Sequence, residues 1–270
     1  MLEELNLPKS WQGNLWHYRF QDWSHSMHRH VELEFNLITQ GSATYLLDNE
    51  KCQERRGDLI WLYPNQNHVI VRESPDLEMW IGVFRPEALN QIATDPNQAP
   101  LHHGDASHES CRRLALEQTQ RLSVLLDEIH TTKDQAAHFN AGLGYAFLTC
   151  WQYFEKASAI PIEDVHPAVE KAARQLQEET SAQNLPELSR QAGLSPARLS
   201  RLFKQQTGIS MVRFRNRLRL NKFLRLYGAG QRHTMLDAAL AAGFGSYPQF
   251  HRVFKTEMGG TPRSLVSHSN

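Results

Sequence analysis

The chain has 270 residues and zero formal net charge, with 40% apolar and 21% charged side chains. It is long enough for two domains, each with its own core, and too apolar for a disordered chain. Neutrality hides an asymmetry, because residues 1–165 carry 13 Lys and Arg against 23 Asp and Glu, whereas residues 166–270 carry 16 against 6. The acidic half would be repelled by a polyanion and the basic half suits one, although a charge excess also serves as a plain solvated surface.

Cys52, Cys111 and Cys150 are an odd number with no CxxC spacing, which predicts reduced thiols and a cytoplasmic protein. The opening Met1-Leu2-Glu3-Glu4-Leu5 is acidic and lacks a basic region followed by an apolar core, so no secretory signal is expected. No apolar run approaches the length that crosses a bilayer, so no membrane partner is expected.

Residues 15–84 alternate short apolar runs with turn residues. Strands are predicted over 33–38 and 43–47, flanking Gln40-Gly41-Ser42, then over 59–63, 69–71 and 79–84. This spacing predicts a small sandwich or barrel. Within it, His28-x-His30-x3-Glu34-x6-Gly41 resembles the first cupin motif at the expected spacing. Gly57, Pro64 and His68 approximate the second motif, with one extra residue before the proline, Gln66 where Gly is usual, and no Asn after the histidine. The resemblance implies that His28, His30, Glu34 and His68 hold a divalent metal, as the matching positions of enzymatic cupins do. Strand alternation supports this, since His28 and His30 point the same way, and imidazole with carboxylate suits iron, manganese, nickel or zinc. Trp16, Trp23, Trp61 and Trp80 lie in the same segment. They serve as core or as stacking surfaces for a ring-shaped effector such as a sugar or an aromatic.

Residues 86–104 read as loop. Helices are predicted over 107–130 and 134–156, the second with Phe139, Leu143, Phe147, Leu148, Trp151 and Phe154 over more than one face. That breadth fits either a second subunit or burial within its own domain. Residues 157–165, with Pro161 and Pro167 nearby, mark the expected boundary, giving domains 1–160 and 161–270. A helix is predicted over 166–180, with Val169, Ala172, Ala173 and Leu176 inward.

A repeat then occupies 185–265. Ala192-Gly193-Leu194-Ser195 leads through Leu199 to Arg201-Leu202-Phe203-Lys204 and Gly208. Ala242-Gly243-Phe244-Gly245 leads through Phe250 to Arg252-Val253-Phe254-Lys255 and Gly259, with one residue added midway. Each copy reads as helix, glycine turn, helix, with Ser195, Thr234 and Ser246 as candidate N-caps and Pro196 at the first helical position. Leu199, Leu202 and Phe203 face inward in the first copy, and Phe250, Val253 and Phe254 in the second. Ala197, Arg198, Ser200, Arg201 and Lys204 face out in the first copy, and Tyr247, Pro248, Gln249, His251, Arg252 and Lys255 in the second. This is the helix-turn-helix pattern that lays its second helix in a major groove. Between the copies, residues 210–227 carry Arg213, Arg215, Arg217 and Arg219; their length and apolar spacing favour a helix over a strand. Some of these arginines are expected on phosphates and others on acids such as Glu187 or Asp237.

The two motifs, with Ala242-Gly243-Phe244, Phe250-His251-Arg252-Val253-Phe254-Lys255 and Gly259-Gly260-Thr261-Pro262, resemble the DNA-binding domain of AraC-type (AraC/XylS) transcription regulators over about a hundred residues. The chain departs from that pattern at Phe223, Ala238 and Pro248. The resemblance implies two architectural parts. The first is an all-β, cupin-like sensory barrel with accessory helices, and the second an all-α domain with two helix-turn-helix motifs joined by a helix. It further implies double-stranded DNA, a small effector, RNA polymerase and a second copy of the chain as partners, with activation of transcription. By the same resemblance, Ala197, Ser200 and Arg201 with Tyr247, Pro248, His251 and Arg252 match base-reading positions, about one DNA turn, roughly 34 Å, apart. Sensory domains of this family also keep His-x-His and Glu as packing or effector contacts without metal. Two other readings stay open: a metal cupin enzyme or metal sensor fused to a DNA-binding domain, and an architectural DNA binder whose barrel only dimerises. No nucleophile paired with a base and no phosphate-cradling glycine loop is present, so the sequence reads as a non-enzyme.

Overall fold

The computed structural model describes residues 3–19, 28–48, 50–103, 110–178, 185–228 and 234–263. The chain divides into two compact units that meet in sequence between Asp164 and Val165. The first opens with β1 (Gly13–Arg19), β2 (Leu33–Gln40), β3 (Ser42–Leu47), β4 (Glu50–Arg55), β5 (Asp58–Leu62), β6 (His68–Glu73) and β7 (Glu78–Phe84). Then come α1 (Pro86–Ile92), α2 (Pro100–His103), β8 (Cys111–Arg113), α3 (Leu116–His130), α4 (Ala136–Lys156), β9 (Ser158–Ala159) and β10 (Glu163–Asp164). One sheet runs β1-β7-β2-β5-β8-β9 and the other β10-β4-β3-β6, all neighbours antiparallel.

The larger sheet is buried on both faces, and strand alternation sorts its side chains. Leu33, Phe35 and Leu37 of β2, with Leu59 and Trp61 of β5, join α3 and α4 in one cluster with Phe139, Leu143, Phe147, Trp151 and Phe154. Ile38, Ile60 and Leu62 point the other way and meet Tyr45, Leu47 and Cys52 of the smaller sheet. The apolar breadth of α4 is therefore used within its own unit. The hairpin turn from β2 to β3 needs Gly41, which sits at φ 72 with its position crowded by Ser74 Oγ at 2.4 Å from an added Cβ.

Two expectations fail here. Residues 86–104 are not loop throughout: Pro86 stands in the first turn of α1, which buries Ala88 and Leu89 in the helix-side cluster. The helix expected over 107–130 begins only at Leu116, with residues 107–109 outside the described part. Cys111–Arg113 is strand instead, because an extended backbone puts Cys111 in the core and Arg113 on the fully buried Asp58, at 2.6 and 2.8 Å. Strand β4, rich in charge, was also not foreseen.

The second unit holds α5 (Pro167–Glu178), α6 (Leu185–Gln191), α7 (Pro196–Thr207), α8 (Met211–Gly228), α9 (Met235–Ala241) and α10 (Tyr247–Met258). Residues 179–184 and 264–270 lie outside the described part, and with them the last two residues of the expected first helix and of the repeat. The two helical hairpins share one construction. Gly193 N–H donates to Arg190 O and Leu194 N–H to Ser189 O; Gly243 N–H donates to Leu240 O and Phe244 N–H to Ala239 O. These paired bonds close both first helices, with the glycines at φ 68 and 94. Ser195 and Ser246 accept from Arg198 N and Gln249 N to start both second helices, which end at left-handed Gly208 and Gly259. Helix α8 packs against α5 and α7 on one side and α9 and α10 on the other. Two departures from the family pattern offset each other in this core: the large Phe223 and the small Ala238 are both fully buried in one cluster with Phe250 and Phe254.

A Cβ at Gly193 meets nothing within 4 Å, so only the left-handed backbone opposes a side chain there. Gly193→Ala is expected to destabilise the helical unit by about 1 to 2 kcal/mol, measured by urea unfolding followed by far-ultraviolet circular dichroism, and an unchanged midpoint would contradict this turn.

Candidate effector cluster and nucleic-acid interface

The structure brings together all four residues of the expected ligand set. Glu34 stands second in β2 of the larger sheet and His68 opens β6 in the smaller; His28 joins His68 through an isolated antiparallel bridge, with backbone bonds of 3.2 and 3.0 Å. Asn65, left-handed at φ 64, donates its N–H to His30 O at 2.8 Å and so ties the turn before β6 to this segment. The imidazole nitrogens of His28, His30 and His68 lie within 4.8 Å of one another. His30 Nε2 is 3.0 Å from Glu34 Oε2, His68 Nε2 is 3.0 Å from His28 Nε2 and 4.0 Å from Glu34 Oε2, and Asn36 Nδ2 donates to Glu34 Oε1 at 2.9 Å.

Backbone carbonyls orient two of the rings. His30 Nδ1 donates to Glu32 O at 3.0 Å and His68 Nδ1 to Gln66 O at 2.9 Å, which leaves each Nε2 directed at the cluster. Burial alone would raise the Glu34 pKa, but the hydrogen bond from His30 and the nearby His68, His30 and His28 hold it down at about 2. Burial also opposes charge on His30, yet Glu34 and Glu32 outweigh it and raise its pKa. His68 is pushed down to about 3, first by burial and then by His28. Glu34 is thus held as a carboxylate against His30, beside a neutral His68.

Trp61 and Trp80 do not line this cluster. Trp61 is fully buried on the helix side against Phe35, Phe147, Trp151 and Phe154, and Trp80 joins the same side with its ring stacked on His17 at 4.5 Å. Trp16 is half-buried, and Trp23 lies outside the described residues.

In the helical unit, Ala197, Arg198, Arg201 and Lys204 of α7 are exposed and Ser200 is half-buried; on α10, Pro248, Arg252 and Lys255 are exposed. Tyr247, Gln249 and His251 are only half-exposed, because Tyr247 packs on the local core and Gln249 Oε1 accepts from Gly245 N–H at 2.9 Å. Gln249 thus braces the turn. The 210–227 segment is helix over Met211–Gly228. Arg213 grips Glu257 of α10 through Nε at 2.9 Å and Nη2 at 3.1 Å, whereas Glu187 takes Arg190 at 2.7 Å and Asp237 accepts from the Thr234 hydroxyl at 2.6 Å.

A two-sheet β unit with a buried polar cluster, followed by tandem helix-turn-helix motifs, defines a ligand-binding domain joined to a DNA-binding one. Comparison with known families agrees: residues 15–148 match the AraC-like ligand binding domain, and residues 188–267 match a helix-turn-helix domain. The chain belongs to the AraC family of transcription regulators. It is 23% identical over 243 residues to the HTH-type transcriptional activator RhaS of Klebsiella pneumoniae, covering 88% of this chain and 86% of that one. It is 25% identical over 240 residues to the arabinose operon regulatory protein of Salmonella typhimurium, covering 84% and 80%. Among solved structures it is similar to fatty-acid-bound ToxT of Vibrio cholerae, at 18% identity, 94% coverage of both chains and a TM-score of 0.44. Among the described residues no helix is long and apolar enough to cross a membrane.

The cluster imposes a pH dependence on the β unit. His68 takes up a proton near 6.5 in the unfolded chain but only near 3 in the fold, so its contribution to stability is complete above pH 6.5 and is lost as pH falls from there towards 3. His30, with its raised pKa, contributes below 6.5 and loses that contribution as pH rises through its folded value. Replacing His68 by Asn is expected to flatten the acid limb by up to about 1.4 kcal/mol per pH unit. Trp11, Trp16, Trp61, Trp80 and Trp151 lie in this unit, so tryptophan fluorescence during urea unfolding at stepped pH chiefly reports it.

Proposed function

We propose that this chain is a cytoplasmic transcription activator whose β unit, the domain of residues 1–160, binds a small effector at His28, His30, Glu34 and His68. The domain of residues 161–270 binds double-stranded DNA as part of a homodimer. The observation that carries this reading is the duplicated helix-turn-helix, with Arg201 and Lys204 on α7 and Arg252 and Lys255 on α10 all exposed at matching places. Arg201 and Arg252 suit the O6 and N7 edge of guanine, and Ala197, Ser200, Tyr247, Pro248 and His251 stand beside them as further base contacts. Arg198, Gln249, Lys204 and Lys255 serve phosphates or the frame of the motif. Exposed Leu116, Val124 and Tyr145 on α3 and α4 supply apolar surface for pairing two copies, and activation requires contact with RNA polymerase. The chain acts by binding, not by catalysis.

A second reading of the histidine cluster is supported by its donor set. Three imidazoles, two of them fixed through Nδ1 by backbone carbonyls, and one carboxylate fit a divalent ion such as iron, manganese, nickel or zinc. Bound there, the ion would anchor an anionic or hydroxylated effector.

Arg201→Ala is expected to weaken binding to the specific site by about 1 to 3 kcal/mol and to leave random DNA nearly unchanged; equal losses in a mobility-shift titration would reduce Arg201 to a phosphate contact. Elemental analysis separates the two readings of the cluster. Stoichiometric metal that disappears with His28→Ala plus His30→Ala supports the metal-anchored effector, and metal-free protein with sharp, effector-sensitive DNA selection supports direct contact.

A further inference from the structure

A second buried polar group stands apart from the histidines. Cys52 and Glu54 alternate on β4 and so point to the same side, inward, while Cys111 reaches the same place from β8. Both thiols are fully buried and Glu54 is 1% exposed. Sulfur and carboxylate donors of the three residues lie within 4.8 Å of one another. The Cys52 thiol donates to Glu54 Oε1, but Glu54 Oε2, also buried, has no hydrogen-bond partner among the described residues. The neighbouring charges do not satisfy it. Asp58 beside it is held by both arms of Arg113 and by Arg55 N–H at 2.8 Å, so that guanidinium is already committed.

An unsatisfied carboxylate oxygen facing two thiols in a dry interior is costly, and apolar residues of like size would fill the space at no such cost. A cation that takes sulfur and oxygen together removes the cost. We propose that Cys52, Cys111 and Glu54 form a site for a single thiophilic divalent cation of the zinc type. Two sulfurs and the two oxygens of one carboxylate supply four donor atoms, the number such an ion takes in closed protein sites. The ion would join the two sheets, since Cys52 belongs to the smaller and Cys111 to the larger. It would also sit beside the chain segment that precedes the second unit. Ile160 N–H donates to Cys111 O at 3.0 Å, β9 pairs with β8, and β10 pairs with β4 and carries Glu163, ion-paired to Lys51 at 2.7 Å. Oxidation of the thiols is the poorer use of this arrangement, because neither sulfur is open to a dissolved oxidant.

The full chain, reduced and freed of metal by chelation, is titrated with Co²⁺ while the near-ultraviolet thiolate-to-cobalt charge-transfer band is followed. The band is expected to saturate at one equivalent, to be displaced by Zn²⁺, and to persist in the His28→Ala plus His30→Ala variant, which removes the competing imidazoles. Cys52→Ser should abolish it. Glu54→Gln, which keeps the shape of the side chain, should weaken cobalt binding roughly 10- to 100-fold, at least the loss seen when outer partners of metal ligands are removed. Circular dichroism checks that each variant folds, and Glu54→Gln decides the matter if Cys52→Ser does not. No thiolate band in folded, thiol-titratable protein overturns the proposal. So does a band that survives Cys52→Ser, or a Cys52–Cys111 disulfide found in the purified chain.

Discussion

The first unit depends on a sheet that is buried on both faces. Residues 33–38 and 59–62 alternate between two interiors, and the register is fixed because a slip of one residue would exchange Phe35 for Glu34 and Trp61 for Ile60. Such a slip would drive a carboxylate into the aromatic layer, where Trp61 meets Phe35, Phe147 and Trp151 with ring centroids 5.6, 5.1 and 5.8 Å away. The cost of that burial, together with the close-packed rings, holds Glu34 opposite His68. The position of the histidine cluster is therefore a consequence of the helix-side packing.

The second unit solves its own problem by repetition. Each hairpin needs a short first helix to stop sharply, and the same pair of backbone bonds at a left-handed glycine does so in both copies. The added residue between Gly243 and Ser246 lengthens the turn without changing either cap. Helix α8 supplies core to both copies, Phe214 against Phe203 at 5.6 Å and Phe223 against Phe250 at 4.4 Å. A single buried helix can carry four arginines because its charged side chains leave by other faces, one of them gripping Glu257. Arg219 shows the strain of this arrangement, its pKa lowered by burial and by Arg215.

Much of this was legible in the residues, and the parts that were not share a physical cause. Caps and stops follow local rules, so Ser195, Thr234, Ser246 and the glycine turns could be read directly, as could the strands whose apolar residues alternate or run continuously. The spacing of His28, His30, Glu34 and His68 likewise announced their convergence. What orients them did not, because the carbonyls of Glu32 and Gln66 carry no side-chain signature. Strand β4 shows no apolar alternation because Glu50, Lys51, Glu54 and Arg55 are charged on both faces, Glu54 inward, and the three residues of β8 make no periodicity. Cys111 therefore reads from sequence as part of the following helix. Its meeting with Cys52 and Glu54 is set by which strands lie beside which, and that order is a tertiary fact. Arg213 of α8 meets Glu257 of α10 across 44 residues of chain, a pairing that local spacing does not announce.

Polarity across the larger sheet separates packing from function. On the helix side the cluster is built mainly of aliphatic and aromatic residues, with Thr119 and Thr149 also buried on α3 and α4, and between the sheets His30, Glu34, Asn36, His68, Glu54 and Asp58 are all buried among Ile38, Tyr45, Ile60 and Leu62. A spacer between two sheets needs none of those polar groups, each of which forfeits hydration and must find a partner inside. Some do, as Asp58 does in Arg113 and Glu34 in His30. Others do not: Asn36 Oδ1 and Glu54 Oε2 have none among the described residues. The two groups of acids also bridge the same pair of sheets at different strands, Glu34 with His68 across β2 and β6, Glu54 with Cys111 across β4 and β8. A ligand that bonds to both sides of either bridge favours one separation of the sheets over others, and differential binding of that kind is what shifts a conformational population. The residues from β9 to β10 belong to both sheets in turn, and Val165 follows them directly. The segment that leads into Val165 is thus anchored to both sheets.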